Sequence, residues 1–304
     1  MASDVTRDSG ALPARHELHA VCDTAGLDDR DAVLLHARSN AVYQLPREGL
    51  VVRLATATPA QMDRAQKVVA VCRWLARCNG PSPVPTDLSQ PVFAASAVAT
   101  VWPFLPSSHT PTPADLGATL LDLHAITAPP PPLPAYQPLI RLREALDLDT
   151  TRDAPALTAD QHAWLADHAD RLQAAYQNLT SYLGEGLIHG DAHTENLLRD
   201  STADRWLLID FDHAAHGPRE LDLLFAAPDH FHEPAADRDT FTRAYGYNLL
   251  TWPGWQTLRD ISEAHSLASY IRRAPTTSAA ATELTRRLHS LRAADPTIVW
   301  ASIS

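Results

Sequence analysis

The spacing of hydrophobic and polar positions changes near residue 106. Before it, "AVYQLP" alternates apolar and polar residues and "GLVVRLA" is a β-branched run. The two read as strands joined by a turn at "PREG". A helix is expected over residues 15–25. Pro59 opens another through "AQMDRAQKVVAVCRWLARC", whose apolar residues recur at helical spacing until Asn79 and Gly80 stop it. "PVFAASAVATVWPFLP" reads as two more strands, the second running into a Pro-punctuated extended segment. Beyond this point the helical period dominates. "TPADLGATLLDLHAI" carries a helix-start signature, and "TADQHAWLADHADRLQAAYQNLTSYL" is a long amphipathic helix. "PPPPLP" at 129–134 is a stiff connector between them, because each Pro fixes φ and removes a donor. Only "GLIHG" and "RWLLIDF" interrupt the helices, as one small hairpin, before "RELDLLF" resumes them. The pattern predicts an α+β chain with a β-rich part over 1–104 and a mainly helical part over 105–304.

Composition narrows the class. With 45% apolar residues over 304 positions, the chain can fill two packed lobes. No apolar run is long enough to span a bilayer, and the N-terminus reads as a frayed tail rather than a secretion signal. Cys22, Cys72 and Cys78 form no paired spacing, which fits thiols packed in a reducing cytoplasm. The net charge of −11 argues against a nucleic-acid partner. Residues 1–106 hold 10 basic and 10 acidic residues, whereas 107–304 hold 15 and 26. The whole excess therefore lies in the helical part, where it can attract a cationic partner or simply be solvated.

The expected hairpin carries the chemistry. "LIHGDAHTENLL" sets Asp191 and Asn196 five positions apart between apolar pairs, and Asp210 follows at the end of "RWLLID". Transfer of a phosphoryl group from a magnesium-bound nucleotide asks for such a set. The protein positions the partners, and metal neutralises the charge that spreads over the transferred group. Mg²⁺ takes hard oxygen ligands, few of them from protein, so the Asn196 carbonyl and the Asp210 carboxylate suit it. Asp191 at the loop entrance can receive or orient the acceptor hydroxyl's proton.

"HGDAHTEN" followed by "LLIDFD" resembles the aminoglycoside phosphotransferase family, small-molecule kinases with a protein-kinase-like, two-lobed fold. The resemblance implies Asp191 as catalytic base, Asn196 and Asp210 as Mg²⁺ ligands, and His189 as a brace for the loop. It also implies ATP or GTP as donor and a small hydroxylated acceptor, with an aminoglycoside or other cationic antibiotic among the candidates. "GPRELDLLF" is similar to the family segment that follows the metal Asp, where Asp222 would be structural. In the first part, the resemblance places Arg53 of "LVVRLA" at the strand position where kinases usually carry Lys. The only Lys of this chain, Lys67, falls on the expected helix instead. Arg remains charged and can grip phosphate through parallel hydrogen bonds. "RSNAVYQL" would lie over the phosphates, with Ser39 and Asn40 offering polar groups. "VWPFLP" would be the linker that meets the base. Trp102 flanks it, and Phe104 or Leu105 must supply the N–H that Pro103 lacks.

The chain departs from the family on the long helix. The acid that commonly orients the strand cation is replaced there by Gln66, Lys67 and Val68; Asp63 one turn earlier is either its substitute or a solvated first-turn carboxylate that favours the helix dipole. Two other readings fit part of the pattern. A nucleotide-binding module without catalysis would explain the altered cation. A two-metal hydrolase could be built from His189, Asp191, His193, Asp210, Asp212, His213 and His216.

Overall fold

The computed structural model describes residues 15–37, 40–106 and 109–301. The expected N-terminal tail and Ser39 lie outside the described residues. Contacts divide the chain into two compact units. One comprises residues up to Pro111 with Asp122–Leu133 and His189–Ala214; the other comprises Thr112–Leu121, Pro134–Ile188 and Ala215 onward.

The first unit is built on an antiparallel sheet of β1 (Val33–Ala37), β2 (Ala41–Leu45), β3 (Leu50–Thr56), β4 (Val92–Ala94) and β5 (Ala97–Pro103). Its strand order is β1-β2-β3-β5-β4. Period-two alternation sorts the residues between two faces. Val52 and Leu54 of β3 and Ala97, Ala99 and Val101 of β5 pack with Leu18, Val21 and Cys22 of α1 (Arg15–Ala25). Each fully buried Leu or Val in such a core contributes about 2 kcal/mol. The intervening residues, Arg53 and Ala55 of β3 with Val98 and Thr100 of β5, line a small cavity with Gln61, Arg64 and Val68 of α2 (Pro59–Arg77). The sheet is thus covered by α1 on one face and α2 on the other. Pro59 does open α2, and Thr58 caps it by accepting the Gln61 N–H at 3.2 Å.

The second unit holds α3 (Pro113–His124) as far as Leu121, with α4 (Ile140–Thr150), α5 (Ala159–Gln177), α6 (Ala235–Tyr245), α7 (Trp255–Arg273) and α8 (Ser278–Ala293). Leu258, Ile261, Ala264, Leu267 and Ile271 form the buried stripe of α7, which packs on α4, α5 and α8. Among the polar groups buried there, Arg287 of α8 bonds Glu283, Ser266, Tyr270 and the Ala301 carbonyl.

Two sequence expectations need correction. The helix expected to reach Leu183 ends at Gln177, because buried Glu220 claims the N–H groups of Tyr182 and Leu183 and the Ser181 hydroxyl. The single hairpin is two separate ribbons. β6 (Glu185–Ile188) pairs with β9 (Ala215–Pro218), and β7 (Leu197–Asp200) pairs with β8 (Arg205–Leu208). The physical cause is a tight turn after β7. Asp200 Oδ1 accepts the N–H groups of Thr202 and Ala203, and Asp204 takes positive φ, so β8 folds straight back on β7.

Candidate active site

Arg53 sits mid-strand on the α2 face of the sheet, opposite Thr100 of β5 in register. Its Nη1 donates to Asp212 Oδ1 at 2.7 Å and its Nη2 to Asp212 Oδ2 at 2.6 Å, a bidentate fork. Nη2 also reaches Asp210 Oδ1 at 3.0 Å. The amide orientation of Asn40 that matches donors to acceptors turns its oxygen to Arg53, 2.6 Å from Nη2 and 3.1 Å from Nε. Burial works against the guanidinium charge, yet Asp212 and Asp210 more than offset it and raise the Arg53 pKa. Asp212 shows the converse. Burial would lift its carboxyl, but Arg53, with Arg64 and His213 adding, holds it below the ordinary carboxylate value.

The segment carrying the two acids is fixed from α2 and from within. Lys67 of α2 donates to the carbonyls of Asp212 and Ala214 at 2.8 and 2.9 Å. Asp210 holds a left-handed backbone with φ 65°, a conformation costing an L-residue about 1–2 kcal/mol and retained where surrounding structure fixes it. The next residue, Phe211, is buried and meets the His189 ring edge-on at 4.7 Å. His189, itself buried, donates from Nε2 to the Ile209 carbonyl at 2.8 Å. At Gly190, with φ +79°, a Cβ would stand 2.7 Å from the His213 carbonyl oxygen, so only glycine allows this approach.

Asn196 ties the two sides together. Its Nδ2 donates to the Asp191 carbonyl at 2.9 Å and to His193 Nε2 at 3.0 Å, and its backbone carbonyl accepts the Ile209 N–H at 2.9 Å. His193 Nε2 also stands 3.9 Å from Asp191 Oδ2. Asp191 keeps a side chain about half exposed, 48%.

This geometry brings Asn40, Arg53, Asp191, Asn196 and Asp210 into one hydrogen-bonded neighbourhood of the first unit. The donor set fits a hard divalent cation. The Asn196 amide nitrogen is committed to its two bonds, which leaves the side-chain oxygen as its ligand end. Asp210 has only one carboxylate oxygen on Arg53. Among the described residues no group of three or more His, Cys, Asp or Glu could hold a metal, which counts against the hydrolase reading.

Two expectations turn out differently, those for Phe104 and Asp63. The Phe104 N–H donates to the Gly49 carbonyl at 2.8 Å and is not the donor assigned to it; continued backbone pairing beside β3 claims it. Trp102 lies on the Thr100 face of β5 and spends its indole N–H on the Thr100 hydroxyl at 2.9 Å. Asp63 is exposed, and the acids at Arg53 come from the segment after β8 instead. Sequence reasoning missed Asp212 and Lys67 in these roles. The signal available was the second acid of "IDFD", two residues past the first.

The family model described as "Phosphotransferase enzyme family" matches residues 32–261. No curated protein matches the chain. Among solved structures, the amicoumacin kinase hAmiN in complex with AMP-PNP, Ca²⁺ and Ami has a TM-score of 0.65 at 13% identity, covering 90% of each chain. The gentamicin complex of APH(2")-IIa has a TM-score of 0.61 at 12% identity, covering 95% of this chain and 99% of that one. A choline/ethanolamine kinase family protein from Mesorhizobium loti has a TM-score of 0.59 at 16% identity, covering 86% and 92%. At these identities the likeness is one of fold, and the fold is protein-kinase-like.

Proposed function

The chain belongs to the phosphotransferase enzyme family, and from that premise we propose that it moves the γ-phosphoryl group of ATP or GTP to a hydroxyl of a small, cationic, antibiotic-like or metabolite acceptor. It is a kinase-type enzyme acting on small molecules; the donor base and the acceptor are the proposed parts. The observation that carries the reading is the Asn196 side chain. Its amide holds the Asp191 carbonyl, while the Asn196 backbone carbonyl holds the Ile209 N–H beside Asp210, which in turn touches Arg53.

In this reading Arg53 and Asn40 hold the phosphates from the sheet. Trp102 borders the base, and Leu105 is left as the linker donor because Phe104 is spent. Asn196 and Asp210 would hold Mg²⁺, which when bound supplies positive charge against the phosphoryl oxygens. Asp191, half exposed and held through its own carbonyl, accepts the proton of the acceptor hydroxyl as that oxygen attacks. The acidic excess of residues 107–304 supports a cationic acceptor, and the complexes of the amicoumacin kinase and of APH(2")-IIa support an antibiotic one.

The test is phosphorus NMR of MgATP and MgGTP with a panel of hydroxylated antibiotics and metabolites. The reading expects the γ-phosphate signal to give way to a phosphomonoester with at least one acceptor. Asp191→Ala should lower that rate by about 100- to 10,000-fold while nucleotide affinity stays within a few-fold. Nucleotide bound but never consumed would indicate the non-catalytic module. Product released without nucleotide would indicate the hydrolase.

A further inference from the structure

The helix that should carry an acid toward Arg53 carries cations. Arg64 of α2 lines the cavity beside Arg53, and Lys67 one turn later donates to two carbonyls of the segment after β8. No acid of α2 is bonded to Arg53 among the described residues, and Asp63 is exposed. The charge pattern between strand cation and helix is therefore inverted, and the negative charge has moved to Asp212.

We propose that Asp212 is the positioning residue for Arg53, replacing a helix acid, and that Lys67 fixes Asp212 in turn by clasping its backbone. The inference rests on the kinase reading of the same site. Both carboxylate oxygens of Asp212 lie on Arg53, at 2.7 and 2.6 Å, whereas Asp210 gives Arg53 only one. Asp212 is only 11% exposed against 39% for Asp210. With both oxygens turned to the guanidinium and its charge offset there, Asp212 is the weaker metal ligand of the two, so the two acids of "IDFD" divide the work. Asp210 faces the cation-binding side, and Asp212 faces the arginine. The fork also sets the plane of the guanidinium, which leaves the outer Nη1 hydrogen as the donor for a phosphate oxygen. Without Asp212 the half-buried charge would turn toward Asp210 and compete with the metal for it.

The experiment is calorimetric titration of ADP and adenosine, and of their guanine counterparts, with and without Mg²⁺. It uses the full chain and the variants Asp212→Asn, Arg53→Gln and the double variant, with Asp63→Asn as a control. Thermal melting confirms that each is folded. The proposal expects Asp212→Asn to weaken diphosphate binding by about 10-fold or more, to leave nucleoside binding unchanged, and to add nothing once Arg53 is Gln. Asp63→Asn should match the parent. Should Asp212→Asn fail to fold, Asp212→Glu, which keeps the charge one methylene away, replaces it with a smaller loss and the same non-additivity.

Three results would overturn the assignment. One is unchanged diphosphate affinity in folded Asp212→Asn. Another is a double variant showing the product of the two single losses. The third is a loss confined to the Mg²⁺ requirement with metal-free binding intact, which would make Asp212 a ligand. A parent protein that binds neither diphosphate would overturn the kinase reading itself, and this inference with it.

Discussion

Arg53 would be costly where it stands if it had no partners, since a strand interior offers a guanidinium little water. Two carboxylates and an amide oxygen remove that cost. Replacing Arg53 with Lys would keep the charge and lose the fork, because an ammonium cannot meet both Asp212 oxygens in one plane. A different economy operates at Glu263 on α7, buried and near Asp229 and Asp260. Burial pushes its carboxyl up to about 7 from 4.5, against the pull of Arg259 and the N–H of His230. Between those two values the folded chain keeps a proton that the unfolded chain has released, so stability falls as pH rises from 4.5 through about 7 and the penalty is constant above. Glu263→Gln removes that titration. Denaturant melts should show the variant more stable than the parent by on the order of 1–3 kcal/mol at pH 8, with the difference gone by about pH 4.5. An equal difference at both pH values would mean that Glu263 does not titrate in this way. Arg53 could be placed from sequence because a lone charge within an apolar strand is conspicuous. Asp212 could not, because its partner is 159 residues away and nothing local announces the pairing.

At the scale of elements, the legible parts were those with strong local chemistry. The alternation of β2 and β3, Pro59 at the start of α2, and the stop at Asn79 and Gly80 all follow from steric and hydrogen-bonding rules acting within a few residues. β1 was missed because all five of its residues are exposed, so no alternation marks it. β7 and β9 were missed because four-residue strands take their identity from distant partners. The loop between β6 and β7 depends on Gly190, where left-handed backbone and contact with the His213 carbonyl coincide. Gly190→Ala is expected to cost about 1–3 kcal/mol of stability and to reduce phosphoryl transfer. Gly246 gives the comparison, with φ +85° and nothing near its missing Cβ. There alanine should cost only about 1 kcal/mol and leave turnover unchanged. Melting curves and turnover of the two variants decide this, and equal effects would remove the special role of the Gly190–His213 approach.

Over the whole molecule, the candidate phosphate and metal residues come from three stretches, at 40–67, 189–196 and 209–214, and the fold gathers all of them in the first unit. The second unit supplies a helical array with its own buried polar network around Arg287. No helix among the described residues is long and apolar enough to cross a membrane. The two-part motif at Asp191–Asn196 and Asp210 announced the family from sequence because each part is a local run of polar residues beside an apolar strand. The acceptor was not legible, since an acidic surplus of carboxylates says only that a cation is welcome. The central claim is that Asp210 and Asn196 bind metal in company with a nucleotide held by Arg53. The most direct measurement is calorimetric titration of ATP and GTP, with and without Mg²⁺, into the parent chain and into Asp210→Ala. The account predicts that Mg²⁺ strengthens binding of at least one nucleotide by about 10-fold or more in the parent, and that Asp210→Ala loses this gain. Binding of neither nucleotide, or the same Mg²⁺ gain in both proteins, would contradict it.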